Sequence, residues 1–316
     1  MTHQCGVSCV VAAYNAERYV AACIASLQRQ RHANLEIIVV DDGSSDQTRE
    51  IVEAIAKRDS RIQIISISNS KQAAARNLGV SRAKYDFIAF LDADDIAAQD
   101  RIEKQLAYLS DNPQICAVGG GIRLVDDQLR EIGYDFPPEA HEEICKKLYA
   151  GIAAGGIFLS TAMVRRSSFE AVKGFRTEIV PAEDYDLWLR FADAGERLGN
   201  IPNVLSDYRV HLESDSSKLT LCQLKCMNRA LADSCRRRNA PFIAVRQSGI
   251  PVQPLDRIAT VLVMNGKLTR AIKIVFSGAA RNPLGASSYV SILRLLYNQG
   301  ERVLRSCLKV ARWRGH

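Results

Sequence analysis

Residues 35–46 read LEIIVVDDGSSD and decide the fold of this chain. The first half of the segment is an apolar run rich in Ile and Val, which is typical of a strand buried on both faces of a sheet. The second half is acidic and small, and Ser44, Ser45 and Asp46 are good N-cap residues for a helix over about residues 47–58. A buried strand that turns directly into a helix predicts a β–α unit.

The same alternation surrounds this unit. Apolar, strand-like runs recur at residues 7–13, 62–65 and 87–91, and the apolar residues between 16 and 30 have the spacing of an amphipathic helix. Continuous apolar strands separated by helices predict an α/β fold with a Rossmann-like, mostly parallel sheet and flanking helices. Further along, the patterns predict strand and bend over residues 116–125, a helix near 139–150 and a helical C-terminal extension from about 218.

Polar residues stand where the apolar strands end. They are Asn15, Asp41, Asp42, Asp92, Asp94 and Asp95. Because the carboxyl ends of parallel strands meet at one edge of a sheet, and ligands of such sheets bind beyond that edge, we expect these side chains to form one site.

The densest cluster is Asp92-Ala93-Asp94-Asp95, directly after the strand at 87–91. Like charges this close repel, so at least one of the carboxyl groups should have a raised pKa unless a cation lies between them. Mg²⁺ and Mn²⁺ prefer oxygen ligands and commonly bind one or two carboxylates together with substrate phosphates. The alternative is a turn in which Asp residues cap the next helix.

The pair Asp41 and Asp42, followed by Gly43, has two interpretations as well. An Asp at this position can accept a hydrogen bond from a base N–H or a ribose hydroxyl, and Gly43 permits close approach to the backbone. The commoner use of such residues is a β–α turn with an N-cap.

A second acidic cluster, Glu183-Asp184-Tyr185-Asp186, precedes an apolar helical face. One acid at a helix start suits the macrodipole, but three exceed what capping needs. One of them could act as general base on an acceptor hydroxyl, and Gly155 and Gly156 would let a sugar approach the backbone.

Composition and charge exclude several other kinds of protein. The chain has 316 residues, 47% hydrophobic, and a formal net charge of +7. No apolar run reaches the about 18 residues that span a bilayer, the N-terminus does not resemble an export signal, and the nine Cys show no C-x-x-C spacing. We expect a cytoplasmic protein with reduced thiols. The basic residues after 290 are most simply a solvated helix face, and the alternative is peripheral contact with the inner face of a membrane; no contact with nucleic acid is expected.

Taken in order, the motifs resemble glycosyltransferase family 2, inverting enzymes of the GT-A fold, over roughly residues 6–217. The motifs that carry the resemblance are VVAAYN (10–15), IVVDDGSSD (38–46), ARNLG (75–79), FLDADD (90–95), GF (174–175) and EDYDL (183–187). Their order and spacing together are far more specific than any one of them.

The resemblance implies a role for each matching position. A nucleotide-sugar donor, most simply a UDP-sugar, would be lined by Ala12, Ala13, Tyr14, Asp41, Asp42, Arg76 and Asp92. Asp94 and His211 would contact a divalent Mn²⁺ or Mg²⁺, although a lone His is by itself more often structural. Asp184 matches the catalytic base, and Glu183 with Gly155 and Gly156 would face the acceptor, a glycan or lipid-linked glycan of cell-surface polysaccharide synthesis.

The resemblance also implies a division of the chain. Residues 1–110 would bind the donor, 111–217 the acceptor, and 218–316 would form a helical region. The Q-x-x-R-W signature of processive synthases is missing, so transfer of one hexosyl or N-acetylhexosaminyl unit is expected. A non-catalytic sugar-nucleotide-binding or scaffold protein is the alternative, but it would be expected to lose Asp92, Asp94 and Asp184.

Overall fold

The computed structural model describes residues 5–210 and 221–245. The strands are β1 (Val7–Ala13), β2 (Leu35–Asp41), β3 (Ile62–Ser66), β4 (Phe87–Phe90), β5 (Ile96–Ala97), β6 (Ile115–Val125), β7 (Glu131–Asp135), β8 (Met163–Arg165) and β9 (Arg197–Arg209). The helices are α1 (Val20–Gln28), α2 (Thr48–Ala56), α3 (Gln72–Arg82), α4 (Arg101–Asp111), α5 (His141–Tyr149), α6 (Arg166–Ala171), α7 (Glu183–Asp193) and α8 (Leu221–Arg237).

The strands follow the order β3-β2-β1-β4-β8-β6-β9-β5 across the sheet. Strands β1 to β4 pair in parallel, and β8 then pairs antiparallel with both β4 and β6. The α/β class and the parallel N-terminal half predicted from the sequence are therefore confirmed.

Alternate residues of β2 enter two different cores, one on each face of the sheet. Ile38 and Val40 pack in a core with Phe90, and Ile37 and Val39 pack in the opposite core. These four residues of β2 are fully buried. This is why the strand reads as a continuous apolar run rather than as an alternating one.

The prediction of a bend over residues 116–125 is wrong, because β6 runs straight through it. Its glycines are needed for close packing instead. A Cβ on Gly119 would lie 2.6 Å from Asn200 Oδ1, and one on Gly120 would lie 2.9 Å from the carbonyl oxygen of Asn203. A run of three glycines therefore marks tight strand–strand contact here.

The described chain separates into two compact units. The first comprises residues 5–124, 135–209 and 221–245, so α8 belongs with the sheet; the second contains residues 125–134 and 210. The division at residue 217 stays a prediction, and 246–316 lie outside the described residues. Among the described helices, none is both long and apolar enough to cross a bilayer.

Candidate active site

The ends of β1, β2 and β4 meet at one edge of the sheet, as expected. Ala13 is paired with Asp41 in the parallel register, and the backbone N–H of Asp42 donates to the carbonyl of Ala13 over 2.8 Å. The N–H of Leu91, one residue before Asp92, donates to the carbonyl of Val10. Parallel pairing thus brings both acidic segments to the same rim.

The turn after β2 uses its acidic residues structurally. The buried carboxylate of Asp41 accepts the N–H of Ser44, and that of Asp42 accepts the N–H of Ser70 over 2.7 Å. This is the turn role that the sequence left open beside the nucleotide role. Tyr14, with 52% of its surface exposed, lies at the end of β1 on the same rim, and contact of these residues with a nucleotide stays a prediction.

Arg76 on α3 joins the acidic segment after β4 to the start of α7. Its Nη2 lies 2.8 Å from Asp92 Oδ1, and its Nη1 lies 2.7 Å from Glu183 Oε1. Burial would lower the pKa of Arg76, but the two carboxylates outweigh it and hold that pKa above its ordinary value. The structure therefore places three of the predicted site residues in one ion-pair chain, in which Arg76 and Glu183 are buried and Asp92 is partly exposed.

The motifs around Arg76 explain how α3 is held in place. Asn77 donates through Nδ2 to the carbonyl of Phe175 and accepts the N–H of Phe175 at Oδ1. Gly174 has φ of 64°, and a Cβ there would lie 2.6 Å from Asn77 Oδ1. The ARNLG and GF motifs, about a hundred residues apart in sequence, are thus one structural contact.

The acidic turn is not a helix cap. Ile96 and Ala97 form the short strand β5 directly after it, and α4 begins only at Arg101. Asp95 is buried, and its Oδ1 accepts the N–H of Arg209 over 2.8 Å. Its Oδ2 has no hydrogen-bond partner among the described residues. Burial raises the pKa of Asp95 well above its ordinary value, and the neighbouring carboxylates raise it further.

A divalent metal would fit this turn only if a substrate supplied some of its ligands. Among the described residues, no three His, Cys, Asp or Glu side chains are grouped to hold a metal alone. Asp92 is engaged through separate oxygens, Oδ1 with Arg76 and Oδ2 with the hydroxyl of Ser160. Carboxylate oxygens on a single turn suit Mg²⁺ or Mn²⁺ that takes its other ligands from a diphosphate. His211 lies outside the described residues, so its metal role stays a prediction.

Asp184 stands in the first turn of α7, next to the Arg76 ion pairs. Its Oδ1 accepts the N–H of Tyr185 over 2.7 Å. Burial raises the pKa of Asp184 to about 6, with Glu183 adding to the rise and Arg76 opposing it. A carboxylate with a pKa close to neutral is well matched to accept a proton from a hydroxyl group.

Comparison with known proteins places this site in a family. The family model described as Glycosyl transferase family 2 matches residues 8–172. The chain belongs to this family. EpsE of Bacillus subtilis, a glycosyltransferase by name, is 34% identical over 83% of this chain and 95% of EpsE. The Escherichia coli protein WfaP, named as a UDP-Glc:α-D-GlcNAc-diphosphoundecaprenol β-1,3-glucosyltransferase, is 32% identical over 67% of this chain and 80% of WfaP.

A solved structure shows the same fold. The mannosyltransferase PcManGT from Pyrobaculum calidifontis, in complex with GDP-Man and Mn²⁺, superposes with a TM-score of 0.56 at 19% identity, covering 92% of this chain and 79% of that one. This glycosyltransferase therefore has the GT-A fold, as the motifs indicated.

The helix that carries Asp184 is fixed by ion pairs that the sequence did not predict. Asp186, one turn inside α7, is fully buried and forms ion pairs with Arg176 and with Arg190. Arg190 also donates to the carbonyls of Val172 and Gly174. The third acid of the EDYDL motif is thus an anchor for the helix. The acidic cluster marked Asp186 in the sequence, but nothing in the cluster indicated these ion pairs.

Gly155 and Gly156 of this glycosyltransferase allow close packing. A Cβ on Gly155 would lie 2.2 Å from the Cβ of Lys147, and one on Gly156 would lie 2.9 Å from the indole ring of Trp188. This accounts for the absence of side chains there, and contact with a sugar stays a prediction. Glu183 is buried and paired with Arg76, and its contact with an acceptor stays a prediction.

Proposed function

We propose that this glycosyltransferase transfers one sugar from a nucleotide-diphospho-sugar, most simply a UDP-sugar, to a glycan or lipid-linked glycan, with inversion at the anomeric carbon. The observation that carries the proposal is the ion-pair chain Asp92–Arg76–Glu183 beside Asp184. It connects a donor-side strand end with a carboxyl group whose pKa is raised to about 6. Arg76 thus ties the turn where the donor would bind to the helix that carries the proposed base.

The proposed reaction is a single displacement. Asp184 accepts the proton of the acceptor hydroxyl while the hydroxyl oxygen forms a bond to the anomeric carbon. The bond between that carbon and the diphosphate oxygen breaks, and its electron pair leaves with the nucleoside diphosphate. Arg76, whose charge is shared between Asp92 and Glu183, fixes the orientation of Asp92 together with Ser160.

A divalent ion held by Asp94 would supply Lewis-acid stabilisation of the leaving diphosphate when bound. The Mn²⁺ named with PcManGT supports this assignment. Arg209 stabilises the turn itself, because it donates its backbone N–H to Asp95 and its Nε–H to the carbonyl of Asp94. These two hydrogen bonds fix the backbone that carries both carboxylates.

The relatives support the class of donor and acceptor. WfaP carries a UDP-sugar and a lipid-linked acceptor in its name, and TuaG of Bacillus subtilis carries teichuronic acid biosynthesis in its name. We therefore place this enzyme in cell-surface polysaccharide synthesis. The presence of Asp92, Asp94 and Asp184 argues against the alternative, a non-catalytic carrier of the same fold, because such a protein would be expected to lose them.

A donor screen tests the proposal. Purified protein is incubated with UDP-, dTDP- and GDP-sugars and with short glycan or lipid-diphosphate acceptors, and the released nucleoside diphosphate is measured. We expect acceptor-dependent release with one donor, lost in Asp184→Asn and retained in Glu178→Gln, which removes an exposed carboxylate shortly before α7. Equal acceptor-dependent turnover by Asp184→Asn and the wild type would remove Asp184 from its role.

A further inference from the structure

Arg101, the first residue of α4, is a fully buried cation that the proposed reaction does not use. The structure gives it no ion pair with a carboxylate among the described residues. Its guanidinium group donates instead to neutral acceptors, which are Gln105 Oε1 and the carbonyls of Phe90, Ser160 and Ala162, over 2.7 to 3.0 Å. Arg is almost never fully buried unless it is paired, so this position is unusual for a side chain that only fills space.

The backbone acceptors of Arg101 flank the acidic turn that carries Asp92. Phe90 is the last residue of β4, two positions before Asp92, and its carbonyl lies 2.8 Å from Arg101 Nη2. Ser160 contacts the turn from another segment: its hydroxyl donates to Asp92 Oδ2 over 2.8 Å and accepts the N–H of Asp92 over 3.3 Å. The carbonyl of the same Ser160 lies 2.7 Å from Arg101 Nη1. One side chain therefore holds both the strand that leads to Asp92 and the residue that orients its carboxylate.

Gln105, one turn further along α4, adds to these contacts. It is fully buried, and its Nε2 donates to the carbonyls of Thr161 and Val118 over 2.7 and 2.9 Å. Arg101 and Gln105 together bind three consecutive carbonyls, those of residues 160–162. Because hydrogen bonds to carbonyls are directional, they fix the position of Ser160 more narrowly than apolar packing would.

The charge of Arg101 is retained in this environment. Burial lowers its pKa to about 10, and the carboxylates of Asp95 and Asp92 are among the groups that oppose this fall. The guanidinium group is therefore protonated at neutral pH. Hydrogen bonds from a charged donor are stronger than those from a neutral one, which suits a group that holds a turn rich in carboxylates.

We propose that Arg101 is a positioning residue of the donor site, which holds Ser160 and the end of β4 so that Asp92 keeps the orientation needed to bind the donor. The side chain of Asp92 is 30% exposed, and Ser160 and Arg76 hold its two oxygens. A carboxylate held in this way binds a ligand without first losing side-chain freedom. Arg101 is buried and acts through Ser160. The inference rests on the proposed function, because that is what places the donor at the acidic turn.

Calorimetric titration of the full-length protein with UDP in Mn²⁺ tests the positioning role. Arg101→Lys keeps the charge but loses the planar group that reaches three carbonyls, and it should raise the Kd for UDP about tenfold. Arg165→Lys is the matched control. Arg165 donates to the carbonyls of Ile115 and Leu109 and pairs with Phe87 at the other end of β4, so its variant should bind UDP with the Kd of the wild type.

The comparison of the two Lys variants separates positioning from stability. Both should unfold at a lower urea concentration than the wild type, because each loses hydrogen bonds between a guanidinium group and backbone carbonyls. The titrations are run where the urea curves show both variants to be folded, so a loss of stability alone leaves the Kd unchanged. A raised Kd in Arg101→Lys alone then indicates an altered donor site.

A double-mutant cycle tests whether Arg101 acts through Ser160. Ser160→Ala removes the hydroxyl that binds Asp92 and should also raise the Kd for UDP about tenfold. Arg101→Lys added to Ser160→Ala should raise it by less than about twofold more, because the contact that Arg101 positions is already lost. Additive effects would overturn the proposal, as would a wild-type Kd in Arg101→Lys.

A variant without the buried charge covers the case in which Arg101→Lys does not fold. Arg101→Met places an apolar side chain at the buried position, a replacement that is often neutral or stabilising for buried ionic groups. It should raise the Kd for UDP as Arg101→Lys does, and a wild-type Kd would overturn the proposal. Absence of UDP binding by the wild type would contradict instead the donor site of the proposed function.

Discussion

Arg76 and Asp92 form an ion pair in which Nη2 and Oδ1 are 2.8 Å apart, and the same guanidinium group reaches Glu183 over 2.7 Å. Arg76 is 7% exposed, so this contact is largely removed from solvent. It links the end of β4, where we place the donor, with the start of α7, where we place the base. We therefore expect donor binding and the position of the base to be coupled through this side chain.

Replacing Arg76 should damage both stability and activity. Arg76→Met leaves Glu183 buried without its cation, and breaking a buried pair in this way costs about 3 kcal/mol. We expect urea unfolding to show a loss of that size. Arg49→Met, whose ion pair with Glu53 lies on the surface, should unfold as the wild type does. An Arg76→Met protein as stable as the wild type would show that the ion-pair chain is not formed in solution.

The activity should depend on pH through Asp184. The base must be ionised, and burial raises its pKa to about 6. As the pH falls below 6 the carboxylate takes up a proton and can no longer accept one, so kcat/KM should drop about tenfold per pH unit. A pH profile of kcat/KM, recorded with saturating metal, measures this fall in activity on the acidic side. A fall in kcat/KM centred near pH 4, about the ordinary pKa of Asp, would contradict the raised pKa of Asp184.

The ionised carboxylate of Asp184 should also lower the free energy of unfolding at neutral pH. A carboxyl group whose pKa is higher in the folded than in the unfolded state stabilises the fold at low pH, and that contribution is lost as the pH rises through about 6. Asp184→Asn should therefore be more stable than the wild type at pH 8, by at most about 3 kcal/mol, and the gain should disappear near pH 4. Thermal unfolding at the two pH values measures it. A variant less stable at pH 8 would contradict the raised pKa.

Gly79 should not tolerate a side chain. It lies where α3 crosses β1, and a Cβ there would come 2.5 Å from Val10 Cγ1. Gly79→Ala should destabilise the protein by about 1–3 kcal/mol through overpacking, despite the better helix propensity of Ala. Ser81→Ala, exposed on the same helix, is the matched control. Equal unfolding midpoints for the two variants would show that α3 can move away from the sheet at little cost.

Much of the site could be predicted from the sequence, because its residues directly follow the strands of the sheet. The acidic residues after β2 and β4 meet at one rim simply because parallel strands place their carboxyl ends together, and an apolar run marks each strand. Asp184 was predicted to be the base from its motif, and that role stays a prediction. In contrast, the burial of Glu183 against Arg76 depends on a contact between residues 107 positions apart, which no local pattern records.

Ser160 and Asp186 were missed for the same reason. Ser160 lies in a short turn without a motif, and its role becomes visible only when its hydroxyl is seen to donate to Asp92. Asp186 was grouped with the acids of the active site, whereas folding buries it between two Arg side chains. The bend predicted within β6 was wrong because glycine was taken as a turn signal, although here it serves close packing.

The most direct test of the acidic turn as a metal-dependent donor site is calorimetric titration of the protein with UDP, with Mn²⁺ and then with EDTA. We expect binding in Mn²⁺ that is at least about tenfold weaker in EDTA and in Asp94→Ala, a loss of about 1.4 kcal/mol. Glu50→Ala, which removes an exposed carboxylate from α2, should bind UDP as the wild type does. Absence of UDP binding, or binding indifferent both to the metal and to Asp94→Ala, would contradict the donor site proposed at the end of β4.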